Sequence, residues 1–168
     1  MKTVELKFQY TEDEYVKAAR QYLFASRTIT KTRIVTLILF LMFSVYYFFS
    51  SFSVLGGIAL GVTLFALILG CTLYFYIPIY RFKQTTKYHE EYQLIFSNDG
   101  IKFKTPTINS DLRWDIYSQI WENSIFYFLI QAPNVYTTIP KRAFANPSDK
   151  QAFEEMVLSN LKCTKRML

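Results

Sequence analysis

The sequence predicts an α+β membrane protein: a two-helix transmembrane hairpin joined to a small antiparallel β domain that ends in a helix. Three observations carry this. Residues 34–80, bracketed by Arg33 and Arg81, contain no Lys, Arg, Asp or Glu. From Tyr92 onward apolar residues alternate at strand spacing, and after Pro147 they recur at helical spacing. All 19 Lys and Arg and all 13 Asp and Glu lie outside the uncharged run, which leaves the flanks with an ordinary soluble composition.

The chain reads as three segments: residues 1–33, a strand and an amphipathic helix; 34–80, the hairpin; and 81–168, the β domain. Lys2 to Tyr10 places Val4, Leu6 and Phe8 on one face and Glu5, Lys7 and Gln9 on the other, the pattern of a half-buried strand. Thr11 to Glu14 is a capping box. The helix it opens runs to about Ser26, with Tyr15, Ala18, Ala19, Tyr22 and Leu23 as its stripe, and its continuation through Arg27 to Arg33 reaches the membrane. A lone strand is unstable in water, so the first strand is expected to dock onto the domain after Tyr80.

The uncharged run is about twice the roughly 20 apolar residues that one crossing of the hydrocarbon core requires. It divides at the small residues Ser50, Ser51, Ser53, Gly56 and Gly57 into crossings at about 34–52 and 55–80. Gly57 and Gly61 form a GxxxG, read first as a contact with the other helix and alternatively as a homo-oligomer interface. Pro78 marks the exit or a kink. Lys17, Arg20, Arg27, Lys31 and Arg33 precede the first crossing, and Arg81, Lys83 and Lys87 follow the second. The positive-inside rule then puts both termini in the cytoplasm. A run beginning this far into the chain, with two long halves, does not read as a cleaved signal peptide.

In the last segment, Tyr92–Ser97 and Ile101–Thr105 form a hairpin about Asn98-Asp99-Gly100, where glycine supplies the positive φ of the turn. Strands follow at Asn109–Trp114 and Tyr117–Glu122. A second hairpin joins Ile125–Gln131 to Val135–Ile139 through Pro133-Asn134. Pro140 ends it. A final helix is capped at Asn146 or Ser148, with Phe153, Met156, Val157 and Leu161 as its buried stripe.

The sequence offers little chemistry. His89 is the only histidine and sits in a hydrophilic linker. Asp111, Asp115 and Glu122 are close in sequence, but Arg113, Trp114 and Trp121 beside them suggest solvated sheet edges with two aromatic anchors rather than paired catalytic carboxylates. Cys71 lies in the second crossing and Cys163 in the tail, which argues against a disulfide. No phosphate-loop, dinucleotide, zinc or thiol-redox motif occurs. The reading is therefore no enzyme, no metal and no cofactor. The formal net charge of +6 is assigned to membrane topology rather than to nucleic acid. Arg81, Lys83, Lys87, Lys141 and Arg142, with Lys162, Lys165 and Arg166, are the candidate contacts to a headgroup or a partner.

The capped N-terminal segment, the uncharged hairpin, Ser97-Asn98-Asp99-Gly100-Ile101-Lys102-Phe103, Trp114 to Glu122 and Ile139 to Phe144 together resemble the YcxB-like family of bacterial membrane proteins. The resemblance implies a bacterial cell-membrane location and a C-terminal domain similar to pleckstrin-homology-like folds. It carries no activity and no functional residues. The expected function is a non-enzymatic membrane anchor for a cytoplasmic binding or regulatory domain, with the bilayer and an unidentified protein as partners, as in an adaptor or immunity protein. The alternatives are an anionic-headgroup sensor and a component of an oligomeric transporter.

Overall fold

The computed structural model describes residues 3–51, 54–161 and 166–168. Lys2, Phe52, Ser53, Lys162, Cys163 and Lys165, named above, lie outside these. The architecture is α+β. Two compact units are formed, one by Met1–Glu14 with Thr85–Leu168 and the other by Tyr15–Gln84.

The first unit contains two four-stranded sheets, ordered β1-β2-β3-β4 and β7-β6-β5-β8. In the first, β1 (Val4–Phe8), β2 (Tyr92–Ser97), β3 (Gly100–Lys104) and β4 (Asn109–Leu112) are antiparallel throughout. β1 takes the edge of β2 with Val4 opposite Phe96 and Phe8 opposite Tyr92. Val4, Leu6 and Phe8 are buried and the alternate residues exposed, as a strand with one face on a core requires. The second sheet holds β5 (Gln119–Glu122), β6 (Phe126–Ala132) and β7 (Val135–Pro140), again antiparallel. A parallel two-residue strand β8 (Arg166–Met167), unforeseen in the sequence, lies on the free edge of β5.

The helix α5 (Pro147–Asn160) buries Phe153, Met156 and Val157, and Leu161 just beyond it is buried too. Phe153 is the central ring of the core. It meets Phe96 of the first sheet at 4.9 Å and Tyr127 of the second at 5.3 Å. One side chain thus joins both sheets, edge-on to Phe96 and tilted to Tyr127, and aromatic pairs add about 0.5–1.5 kcal/mol each beyond burial.

The turn chemistry differs from expectation at Gly100. No glycine has a positive φ. Gly100 belongs to β3, and a Cβ there would lie 2.7 Å from the Leu112 carbonyl oxygen. Close approach of β4 explains the glycine, rather than the turn. The second hairpin does use a left-handed residue, Asn134 at φ 63, a conformation Asn tolerates better than most residues. The expected strand through Trp114 stops at Leu112. Trp114 opens a 3-10 turn, Trp114–Ile116, from which its indole donates to the Ser97 carbonyl at 2.8 Å.

In the second unit, α1 (Glu12–Ala25) buries Val16, Ala18, Tyr22 and Ala25, a face shifted from the expected stripe. It stops short of the hairpin. Arg27 adopts a left-handed φ of 59, and Arg33 Nη1 donates to the Thr28 carbonyl at 2.9 Å, so the link is a capped break rather than continuous helix. α2 (Lys31–Ser51) and α3 (Val54–Cys71) then pack together. A π-helical turn, Thr72–Tyr76, joins α3 to α4 (Ile77–Gln84). Pro78 therefore does not end the helix. The π turn immediately precedes it, and such turns commonly let a helix accommodate local disruption.

The helices Lys31–Ser50 and Val54–Gln84 are long and apolar enough to cross a membrane. Ser44, Thr63 and Thr72 each donate to the carbonyl four residues back, at 2.8, 2.7 and 2.8 Å. Each hydroxyl is thereby satisfied within its own helical run. The tightest contact between α2 and α3 is made at Gly56, where a Cβ would meet the Phe48 Cα at 3.0 Å; of the expected GxxxG, Gly57 faces α2, with the Phe48 ring 3.6 Å from its Cβ position, whereas a Cβ on Gly61 would meet nothing within 4 Å. Gly56→Val should therefore destabilise the hairpin by about 1–3 kcal/mol through overpacking. Gly61→Val should leave the melting temperature in mild detergent unchanged. Equal effects of the two substitutions would refute this placement.

Candidate functional site

In the first unit, residues 9–14 leave the first sheet and are held back against the domain. Phe8, Tyr10, Tyr92 and Phe103 form a ring cluster in which Tyr10 lies 5.2 Å from Phe8 and 5.1 Å from Tyr92, and Tyr92 lies 5.4 Å from Phe103. The buried Tyr10 hydroxyl donates to the Thr138 carbonyl of β7, tying this corner to the second sheet. Burial, followed by the neighbouring tyrosines, pushes the Tyr10 hydroxyl far above its ordinary pKa, so it stays protonated and donating.

The capping box forms as expected. Glu14 N donates to Thr11 Oγ1 and Thr11 N to Glu14 Oε2, both at 3.3 Å. The same carboxylate has a second task. Arg142, in the 3-10 turn Lys141–Ala143, donates through Nε to Glu14 Oε1 and through Nη2 to Glu14 Oε2 at 2.6 Å. Its Nη2 also reaches the Gln9 carbonyl at 2.8 Å. The bidentate guanidinium, ahead of the Thr11 bonds, lowers the Glu14 pKa, and the carboxylate raises that of Arg142 in turn.

Beside it, Lys141 Nζ bonds Glu122 Oε1 at 2.5 Å and lies 4.9 Å from the Tyr127 ring centroid. The side chains of Lys141 and Glu122 are only 19% and 7% exposed. Tyr127, fully buried, donates to Glu154 of α5. Burial and the Glu154 bond push the Tyr127 hydroxyl well above its ordinary pKa. Two ion pairs and two phenols thus link β5, β6, β7, the residues before α1, and α5.

Two of the candidate contacts take part in this arrangement. Lys141 and Arg142 are engaged within the fold. Lys87 lies with its ammonium 5.4 Å from the Phe103 ring centroid, while Arg81 and Lys83 are exposed on α4 in the second unit. The three carboxylates weighed for catalysis are dispersed. Asp115 pairs with Arg113 at 2.9 Å on the surface, Asp111 sits in β4 opposite Lys102, and Glu122 is buried with Lys141 rather than at a solvated edge. Trp114 and Trp121 are buried, as anchors should be. His89 is exposed, and its carbonyl accepts from the Gln9 side chain at 2.6 Å. Cys71 is a free, exposed thiol. Among the described residues, no three His, Cys, Asp or Glu side chains come together as a metal site would require.

A separate cleft of about 530 Å³ is lined by Asp99, Arg113, Trp114, Asp115, Ser118 and Asn160, among others. It mixes charged groups with an indole edge. No sequence signal marks it, because its walls come from three separate stretches of chain.

Two outcomes follow from the ion pairs. Lys141→Met leaves Glu122 buried without its cation and should cost about 3–5 kcal/mol, whereas adding Glu122→Gln should recover most of the loss, because removing both charges removes the unpaired one. Melting curves of the single and double variants test this. Glu14→Gln preserves the capping box but loses the charge, and should cost about 1 kcal/mol at neutral pH. The folded-state pKa of Glu14 is lowered, so its contribution is present above the ordinary value of 4.5 and disappears as pH falls through the lowered one. Melting temperatures of wild type and variant should converge once the pH has fallen below that lowered value. A difference that persists there would remove the charge as its cause.

No curated protein and no solved structure significantly matches the chain. A family model described as YcxB-like protein matches residues 96–157. The match starts at Phe96 in β2 and ends at Val157 in α5. It contains Trp114 to Glu122 and Ile139 to Phe144, and with them the Lys141–Glu122 pair. Over residues 96–157, less than half of its length, the chain is similar to the YcxB-like family.

Proposed function

We propose that the chain is a non-enzymatic integral membrane protein, in which a two-helix hairpin anchors a small pleckstrin-homology-like binding or regulatory domain at the cytoplasmic face of a bacterial membrane. The observation that carries this is the exposure of the hairpin. The apolar windows of Lys31–Ser50 and Val54–Gln84 are only 6% and 11% buried by the protein itself. The core helix of a soluble domain hides such a surface. Here Leu39, Met42, Phe43, Val54, Phe65 and Ile68 all face outward, which in water would form an apolar patch far beyond what monomers tolerate. Lipid is the solvent that accepts it.

The basic residues at the two bases of the hairpin favour a cytoplasmic domain. A binding role is favoured over catalysis because Glu14, Asp115 and Glu122 are each neutralised by a cation of the same domain. The cleft beside Trp114 is the surface best suited to a partner, and an adaptor or immunity protein would work through it. Headgroup sensing by Lys141 and Arg142 is disfavoured, since both are committed to internal carboxylates.

Single-cysteine variants in a background lacking Cys71 and Cys163 test location and topology. Val54→Cys, at the hairpin tip, should label with an impermeant maleimide in intact cells, and Lys102→Cys, on β3, only after permeabilisation. The chain should also resist alkaline extraction from membranes. Release by alkali would defeat the membrane reading, and reversed labelling would defeat the orientation. A photo-crosslinker at exposed Ile116, next to the cleft, should trap a discrete protein. Adducts to lipid alone would argue against the partner.

A further inference from the structure

We propose that Arg20, seated on Tyr74 and Phe75, forms a binding site for the phosphodiester of a lipid headgroup. This deepens the membrane reading above and rests on it. Arg20 Nε donates to the Tyr74 carbonyl at 3.2 Å. Its guanidinium lies 4.9 Å from the Tyr74 ring centroid and 5.4 Å from that of Phe75. Phe24, one turn further along α1, meets the Tyr74 ring edge-on at 5.9 Å. The group is held by its inner nitrogen and two aromatic surfaces.

The carbonyl is available because of Pro78. In an α-helix the Tyr74 oxygen would accept from the residue four positions on, and that residue is a proline without an N–H. The chain passes this point in the π-helical turn Thr72–Tyr76, where Ile77 N reaches back to the Thr72 carbonyl. Satisfying the carbonyl needs one donor, and Arg20 has five in a planar fork. Among the described residues the Tyr74 carbonyl is the only hydrogen-bond acceptor that the Arg20 guanidinium meets. Four N–H groups therefore remain, on a cation already stripped of rotational freedom. A tetrahedral anion that accepts two parallel bonds is the ligand such a fork fits.

Depth selects the source of that anion. Counting from Val54, the first residue of α3, roughly 20 residues at 1.5 Å each cross the roughly 30 Å hydrocarbon core and arrive at Leu73 and Tyr74. The guanidinium is thus at the level where lipid phosphates begin. Lys17, three residues before Arg20 on the same face of α1 and exposed, adds positive charge there. The acidic residues of α1 are confined to its first turn, at Glu12, Asp13 and Glu14.

The test is native mass spectrometry of the full chain released from detergent, titrated with phosphatidylglycerol and, separately, with inorganic phosphate. Wild type should retain one phosphatidylglycerol. Arg20→Gln keeps a donor for the carbonyl but loses charge and fork, and should weaken retention about ten-fold. Arg20→Lys, which keeps the charge, should fall between. Lys102→Gln, a surface change in the other unit, should match wild type. Lipid retention in Arg20→Gln equal to wild type would overturn the proposal and leave Arg20 as a backbone cap. So would absence of bound lipid in wild type, or displacement of the lipid by millimolar inorganic phosphate. Should Arg20→Gln fail to fold, Arg20→Lys alone decides between fork and cap. Alkaline extraction of the same preparations separates the two levels: loss from membranes defeats the membrane reading, whereas retention with unchanged lipid binding defeats only the phosphate site.

Discussion

The pairing of β1 with β2 is the constraint on which the rest of the molecule depends. Phe8 and Tyr92 are opposite one another in the ladder, so the chain leaves the sheet and re-enters it at one point, with residues 9–91 between. The candidate membrane hairpin is therefore an insertion into a β-hairpin rather than an N-terminal appendage. The first sheet cannot be completed until those residues have been traversed. Loop-closure entropy grows only slowly with length, so the cost in stability is modest, while the non-local pairing slows folding. Burying Val4, Leu6 and Phe8 repays that closure and also covers the edge of β2, which would otherwise be an exposed template for pairing with other chains.

Residues 9–14, where the chain leaves the first sheet, are held to their own unit by several weak ties together. The Glu14–Arg142 pair is half-exposed on the arginine side and would contribute little alone. It acts on a carboxylate that already closes the first turn of α1, and the same arginine holds the Gln9 carbonyl. The Tyr10 hydroxyl bond and the ring cluster around Tyr92 fix the adjacent residues. The buried Lys141–Glu122 pair differs in kind. Its net contribution to stability is small against an apolar replacement, but its rupture is expensive. Such a pair enforces one arrangement of the turn after β7, the turn that carries Arg142. The placement of residues 9–14 on the domain thus rests on a buried pair next to an exposed one.

Local pattern made much of this legible in the sequence. The alternation in Val4–Phe8, the capping box at Thr11, the helical stripe ending at Leu161 and the uncharged run each express a period or a spacing, and the structure forms elements at all four. What sequence could not reveal was partnership across distance. Arg142 and Glu14 are separated by 128 positions, and nothing around either residue names the other. Read by composition, Lys141 and Arg142 looked like free surface charge. Gly100 was explained by its own turn, although the reason for it lies on β4. Gly57 and Gly61 matched a spacing motif, but helix rotation decides how near each glycine comes to the neighbour: Gly56 is tightest, Gly57 is in ordinary contact and Gly61 faces away. The cleft beside Trp114 escaped notice for the same reason, since its walls converge only in three dimensions.

The hairpin shows how local disruption is confined to where it can be tolerated. The second long helix runs 31 residues, against 20 in the first. At 1.5 Å per residue these are about 46 and 30 Å, so the second is longer than a hydrocarbon core is thick and the first about equal to it. Within the core, backbone groups must be satisfied inside the helix, and the hydroxyls of Ser44 and Thr63 conform by bonding back along their own helices. The π turn and Pro78 come only after about 20 residues of α3, where the surplus begins and a donor from outside the helix can reach a freed carbonyl. Arg20 is that donor. If the helix crosses a membrane, a proline one or two turns earlier would leave the freed carbonyl within the hydrocarbon. The position of Pro78 is therefore tied to the length of the helix before it and to the reach of α1.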